Sequence, residues 1–270
     1  MKRLLATALV LAGVTCAAAQ EIPAAIKEGG LKVAIVPNYP PLDFKDPATG
    51  QLTGFDVELG DAIAKKLGIK LVWQETSFDQ MMPAIATSRV DAIMSGMTDY
   101  KSRQETATFV DYLQSGPQFF IQKAREAEFA DPKSLCGKNV GASRRTNFPK
   151  EIAAWSEANC TGREPIKFVG TEGSADARTQ LKQGRIDAAV QGNETLPYVM
   201  GLEPNTYAPV GKAFASQYTG LALPVKETGL HKAVAGALDA LIADGTYGKL
   251  LAKWQLADNG IPKALINAGQ

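Results

Sequence analysis

Arg89-Val90-Asp91-Ala92-Ile93-Met94-Ser95-Gly96 and Arg185-Ile186-Asp187-Ala188-Ala189-Val190-Gln191-Gly192 echo each other at an offset of 96 residues. Each reads as a short apolar strand that ends on a glycine, and the elements before each follow the same order. Ahead of the first, Leu31 to Val36 is β-rich and ends at Pro37, after which Asn38-Tyr39-Pro40-Pro41 and Asp46-Pro47 to Gly50 read as irregular. Phe55, Leu59, Ile63 and Leu67 then fall at helical spacing, with Ala62 widening the stripe and Gly68 as the stop. Ile69 to Trp73 is strand-like, Phe78 to Thr87 helical with Met81, Met82 and Ile85 inward, and Asp91 to Met94 a third strand. Ahead of the second come a strand at Asn139 to Ala142, a helix at Phe148 to Ala158, a strand at Ile166 to Val169, a helix at Ala175 to Gln183 and a strand at Ile186 to Val190.

Strands that alternate with helices imply parallel, helix-covered sheets, so the fold class is α/β with two similar lobes. Phe119 to Gln122 and Gly220 to Leu223 flank the second half, and the helical patterns at His231 to Asp244 and Tyr247 to Trp254 lie beyond it. The simplest topology inserts one lobe into the other: residues 20–114 and 217–270 form lobe one, and 115–216 form lobe two. Open α/β sheets bind ligands outside the carboxyl ends of their strands. A ligand cleft is therefore expected between the lobes, built from the loops after Val36, Met94, Ala142 and Val190. Two crossings between lobes supply a hinge for closure.

The composition is that of a globular chain: 270 residues, 45% hydrophobic and 21% charged, with 29 Lys plus Arg against 28 Asp plus Glu. A net charge of +1 carries no electrostatic footprint for nucleic acid or an anionic membrane. The first nineteen residues differ from the rest: Lys2 and Arg3, an apolar run from Leu4 to Val14, then Ala17-Ala18-Ala19. This is the pattern of a secretory signal peptide over 1–19, with an apolar core too short to span a bilayer. Cys16 raises the alternative of a lipid-anchored N-terminus, which Gly13-Val14-Thr15 does not favour. Export would leave Cys136 and Cys160 as the remaining thiols in an oxidising compartment, where a bridge is expected to contribute roughly 3 to 4 kcal/mol; two separate thiols are the alternative.

The loop after Met94 reads Ser95-Gly96-Met97-Thr98-Asp99-Tyr100-Lys101-Ser102-Arg103. Gly96 permits close approach to backbone, Thr98 offers a hydroxyl, and the Arg103 guanidinium can grip a carboxylate with two parallel hydrogen bonds. A surface arginine near a helix start is the competing explanation.

From here the letters resemble a known family, the periplasmic solute-binding proteins of ABC-type polar amino-acid importers. The resemblance runs through Tyr39-Pro40-Pro41 with Asp43-Phe44, Gly54-Phe55-Asp56-Val57-Glu58-Leu59, Phe78, Asp91-Ala92-Ile93, Gly96-Met97-Thr98, Arg103, Phe109-Val110-Asp111-Tyr112, Asp244-Gly245-Thr246-Tyr247 and Lys253-Trp254. It implies the two-lobe periplasmic-binding-protein fold, a small-molecule ligand, an inner-membrane ABC permease as partner, a periplasmic location, a monomer, and no cofactor, metal or nucleic acid. It also implies roles for individual residues. Arg103 would clamp an α-carboxylate with the Thr98 N–H, and the Gly96 carbonyl and Thr98 hydroxyl would accept from an α-ammonium. Ser95 shares that loop. Tyr39 and Phe78 would sandwich the ligand, with packing roles as the alternative, and Thr146 and Asn147 would add contacts from lobe two.

Two departures from the family's pattern stand out. Where the family places an aspartate for the α-ammonium, this chain has Gly192, followed by Asn193 and Glu194. Glu194 is expected either to reach in as a substitute or to cap the helix that follows. Arg144-Arg145 stand where a Gly before the Thr is common; they add cations that would favour an acidic ligand, or else they are solvated. Val36 occupies a position that is often acidic in binders of cationic side chains. The expected ligand is an amino acid or related small carboxylate with an acidic or uncharged far end.

The rival class is an exported lyase of the cyclohexadienyl dehydratase type, which the same fold resembles, with Glu194 or Asp99 as the acid. His231, the single histidine, reads as a surface or capping residue at a helix start. A receptor that signals to a membrane partner would use the same closure as a transporter.

Overall fold

The computed structural model describes residues 22–270, so the expected signal peptide and Cys16 lie outside them. The first sheet has six strands in the order Leu265–Ile266, Ala107–Ser115, Gln217–Pro224, Ala92–Ile93, Leu31–Ile35, Leu71–Glu75. Leu31–Ile35 is parallel to both of its neighbours, Leu71–Glu75 and Ala92–Ile93, and the returning strand Gln217–Pro224 runs antiparallel beside Ala92–Ile93 and Ala107–Ser115. The second sheet has five strands, in the order Lys167–Thr171, Asn139–Ser143, Ala188–Gly192, Pro117–Gln122, Tyr207–Val210, of which the first three are parallel. This is the two-lobe α/β architecture that the echo of 89–96 in 185–192 implies.

The helix Phe55–Leu67 shows how local chemistry fixes an element. Gly54 enters it at φ 127°, with a side chain excluded by the Leu42 carbonyl. Asp56 and Glu58 lie in the first turn and Lys65 and Lys66 in the last, in line with the helix dipole. Gly68 closes it in the left-handed conformation, and the Ile69 N–H returns to the Ala64 carbonyl. That last bond delays the next strand, which starts at Leu71 where the sequence pattern places it at Ile69. Phe55, Leu59 and Ile63 pack with Val33, Met94 and Val110 on one face of the sheet, while Ala34, Met81, Ile85, Met97 and Phe109 fill the other. Lobe two repeats the arrangement, with Phe119, Val140, Ile152 and Val190 on one face and Phe120, Leu181, Ile186 and Leu196 on the other.

Several elements depart from expectation. The segment read as irregular after Pro37 forms a small antiparallel sheet of Asn38–Tyr39, Asp43–Lys45 and Leu52–Thr53, in pieces too short to carry a period. Ala107–Ser115 is a nine-residue strand buried along almost its whole length; the buried Asp111 within it, which accepts from the Ala268 N–H, breaks the apolar run that would have marked it. His231 is buried on the helix Thr228–Ala243, its Nε2 2.8 Å from the Pro224 carbonyl, and is neither exposed nor a cap. Cys136 and Cys160 form a disulfide that ties the approach to Asn139–Ser143 to the end of the helix Phe148–Asn159.

The two crossings lie side by side. Ser115 pairs with Gln217, and a side chain at Gly116 would strike the Ala215 carbonyl. On one flank of the crossings the helix Leu196–Leu202 of the second lobe carries Tyr198 onto Phe44 and Trp254 of the first, with ring centroids 5.6 and 6.3 Å away.

Candidate functional site

A cleft lies between the lobes, open to solvent at its mouth. Tyr39, Phe78, Ser95, Gly96, Thr98, Arg103, Arg145, Thr146, Asn147 and Glu194, all named from the sequence, line it together.

On the lobe-one side the loop after Ala92–Ile93 rests on two buried carboxylates. Ser95 Oγ accepts from the Val36 N–H (3.0 Å) and donates to Asp43 Oδ2 (3.2 Å), and the Gly96 N–H donates to Asp56 Oδ2 at 2.7 Å. Burial raises the Asp56 carboxyl to about 6 despite the Gly96 bond, and burial followed by the charge of Asp56 raises Asp43 well above the carboxylate range. Gly96 sits at φ 56°, and a Cβ there would come within 3.0 Å of the Tyr39 ring, so glycine is needed on both counts. Two residues on, Thr98 bridges to Thr219. The flanking amides make the bonds, Asp99 N–H to the Tyr218 carbonyl and Gly220 N–H to the Met97 carbonyl, so the Thr98 N–H is not consumed by the sheet.

Arg103, on the short helix Lys101–Gln104, donates through Nη1 to the Thr98 carbonyl at 2.7 Å. Its guanidinium lies 5.6 Å from the Phe78 ring centroid and 5.4 Å from that of Tyr100, a cation-π setting on both. Among the described residues no carboxylate stands within ion-pair distance of it. Asp99, the other acid of that loop, is buried away from the cleft, where it accepts from Gln104 Nε2 (2.8 Å) and the Gly269 N–H (2.7 Å); it pins the C-terminal segment and is removed from the candidate acids.

On the lobe-two side Glu194 is 3% exposed. Its Oε1 accepts from the Tyr39 hydroxyl at 3.0 Å, that same hydroxyl accepts from the Gly192 N–H at 3.3 Å, and Oε2 has no partner. The carboxyl lies over the bare face of Gly192, in space that any side chain at that position would occupy. Burial pushes its pKa up to about 7, with its own backbone N–H and then the Tyr39 bond pulling the other way. The Glu194 side chain thus lies in the lining of the cleft and accepts a bond from the opposite lobe.

Two other expected residues lie off the cleft, and the hydroxyl of a third is engaged locally. Asn193 lies behind the cleft, where its Oδ1 accepts from the Gly116 N–H (2.9 Å) and its own N–H donates to the Gly116 carbonyl (2.9 Å), fastening the crossing. Arg144 turns off the cleft: Nη1 pairs with Glu172 (2.7 Å) and Nη2 donates to the Gly170 carbonyl (2.9 Å). The Thr146 hydroxyl is engaged in its own turn, donating to the Ser143 carbonyl and accepting from the Phe148 N–H. Arg145 does line the cleft, with Nη2 3.4 Å from Glu172 and Nη1 4.0 Å from Asp79 of the opposite lobe.

Glu172, Gly173 and Ser174 also line the cleft and were missed. They follow the parallel strand Lys167–Thr171, and extending the strand-end rule to every parallel strand finds them. Gln217, buried and lining the cleft with its Nε2 unpartnered, comes from the return crossing, which no periodicity or motif marks. No cluster of three His, Cys, Asp or Glu among the described residues is placed to hold a metal ion.

A cleft between two sheets, with an unpaired cation on one wall and an unpaired carboxyl oxygen on the other, defines a ligand-capturing binding protein. Residues 31–257 match the model of the bacterial extracellular solute-binding proteins, family 3, and the chain belongs to that family. It is similar to the arginine-binding protein ArgT of Corynebacterium glutamicum, 30% identical over 91% of this chain and 81% of that protein. It is likewise similar to the L-cystine-binding protein TcyJ of Escherichia coli (strain K12), 32% identical over 86% and 85%. Among solved structures, the ancestral amino-acid-binding protein AncCDT-1, a precursor of cyclohexadienyl dehydratase, superposes with a TM-score of 0.75 at 30% identity, covering 85% of this chain and 97% of that one.

Proposed function

We propose that this protein is an exported, periplasmic receptor for an α-amino acid, acting as a monomer and handing its ligand to an inner-membrane ABC permease. The observation that carries the reading is the facing pair. Among the described residues Arg103 has no carboxylate within ion-pair distance and Glu194 Oε2 has no hydrogen-bond partner, so a zwitterion with its carboxylate on one and its ammonium on the other would satisfy both. Glu194 then does from position 194 what the aspartate absent at 192 does elsewhere in the family. Tyr39 and Phe78 cover the pair from lobe one. The relatives' names, for arginine and L-cystine, support an amino-acid ligand, and Val36 in the lining supports a far end that is not simply basic.

The test is a thermal-shift panel of amino acids, dicarboxylates and aromatic acids on protein refolded to remove carried-over ligand. A ligand at a hundred times its Kd adds about 2.7 kcal/mol, several degrees in Tm. Selective shifts by α-amino acids are expected. Shifts only by acids that lack the amino group would overturn the ammonium role of Glu194, and a response to basic amino acids alone would overturn the reading of Val36. A second reading, the dehydratase-type lyase, draws on the Glu194 carboxyl at about 7, a value suited to a general acid. Product formation from prephenate or arogenate, lost in Glu194→Gln, would establish it.

A further inference from the structure

Beyond the inner pair, the same cleft holds a second pair of opposite charges. Arg145 and Glu172, both from lobe two, line it and lie 3.4 Å apart, with side chains about half exposed (49% and 59%), and Glu172 Oε1 also pairs with Arg144 Nη1 at 2.7 Å from outside the lining. Arg145 also faces Asp79 of lobe one at 4.0 Å. An ion pair this exposed contributes little by itself, so its members can exchange each other for ligand groups at small cost. The inner site differs in kind, since Arg103 and Glu194 have no carboxylate or cation of the protein to return to.

Each pair offers one cation and one anion, and both line one cleft. We infer that the preferred ligand is a double-headed amino acid, one whose side chain ends in a second carboxylate-plus-ammonium head. The first head sits on Arg103 and Glu194, and the second presents its carboxylate to Arg145 and its ammonium to Glu172. A purely basic tail would satisfy Glu172 and meet the Arg145 guanidinium with like charge; a purely acidic tail would do the reverse. A dipolar head satisfies both. The inference rests on the amino-acid reading above and narrows it.

Isothermal titration on refolded protein with three compounds of nearly one length tests it: meso-2,6-diaminopimelate, 2-aminopimelate, which lacks the second ammonium, and L-lysine, which lacks the second carboxylate. The diaminopimelate is expected to bind about fivefold or more tighter than either single-headed compound. In Glu172→Gln its affinity should fall to that of 2-aminopimelate, and in Arg145→Gln to that of lysine. L-alanine, which has no far head, reports whether the inner site of each variant is intact. A single-headed compound that binds as tightly as the diaminopimelate, or variants that leave the three affinities in their original ratio, would overturn the double-headed ligand and leave the amino-acid reading standing. Failure of all four compounds, alanine included, would remove both.

Discussion

Gly96 and Gly192 close the two strands whose sequences echo each other, and the space left by each missing side chain is used in opposite ways. At Gly96 the Tyr39 ring moves in, and the carboxylates of that lobe, Asp43 and Asp56, lie beneath the loop and hold it from below. At Gly192 a carboxyl moves in, that of Glu194, and lies on the cleft side of the loop with one oxygen unspent. Two copies of one motif thus divide the labour: the first loop is stiffened by buried acids, and the second presents one. A duplicated scaffold fixes where a functional group must arrive and leaves open the residue that delivers it.

The largest expected effect comes from removing the charge the first loop supports. Arg103→Ala should weaken ligand binding by roughly 2 to 5 kcal/mol, at least about thirty-fold by calorimetry, because the ligand carboxylate is left desolvated without its partner. Unchanged affinity would move the site elsewhere. Next, Gly192→Ala should displace the Glu194 carboxyl, lowering Tm by the equivalent of about 1 to 3 kcal/mol and affinity about tenfold or more. A variant that binds normally would show that the second glycine has no special use, and the contrast between the loops would collapse.

Acidity sharpens the contrast further. Glu194 has a folded pKa of about 7 against an ordinary value of 4.5, so the folded ligand-free protein holds a proton that the unfolded chain has released across that interval. Its contribution to stability is therefore greatest below about 4.5 and is lost as pH rises through about 7. Ligand binding runs the other way. An ammonium needs the ionised carboxylate, so affinity should fall as pH drops below about 7, by up to about tenfold per unit, and Glu194→Gln should remove this binding slope and lessen the stability slope. Thermal melts and titrations between pH 5 and 8 read the two; slope that survives in Glu194→Gln belongs to the other buried acids, Asp111 near 7, Asp56 near 6 and Asp43, which burial also raises. The smallest effect is expected from Tyr39→Phe, which removes the hydroxyl between Gly192 and Glu194 and should cost about 0.5 to 1.5 kcal/mol of affinity.

The sequence discloses this molecule unevenly, for physical reasons. The lobes and their order are legible because Phe55, Leu59 and Ile63, or Ala177 and Leu181, repeat at the spacing their elements require. The lobe-one site is legible because Ser95 to Arg103 is one continuous loop. The lobe-two site is not, since a side chain just past a strand end can turn into the cleft, as Glu194 does, or back onto the crossing, as Asn193 does. Adjacent letters took opposite directions, and only the backbone decides which. Arg144 and Arg145 divide in the same way. Asp111 and Asp99 hide for another reason: buried acids answered by backbone N–H groups look like surface residues in one dimension.

The stack of Tyr198 against Phe44 and Trp254 carries a consequence for observing this protein at work. Trp254 is 9% exposed, and its ring is in contact with a tyrosine from the other lobe, so the indole emits from an environment that both lobes shape. Relative movement of the lobes changes the polarity around that fluorophore and its separation from a quenching neighbour. Steady-state emission of the unlabelled protein is thus a native optical gauge of lobe separation, and Tyr198→Ala is the substitution that should mute it.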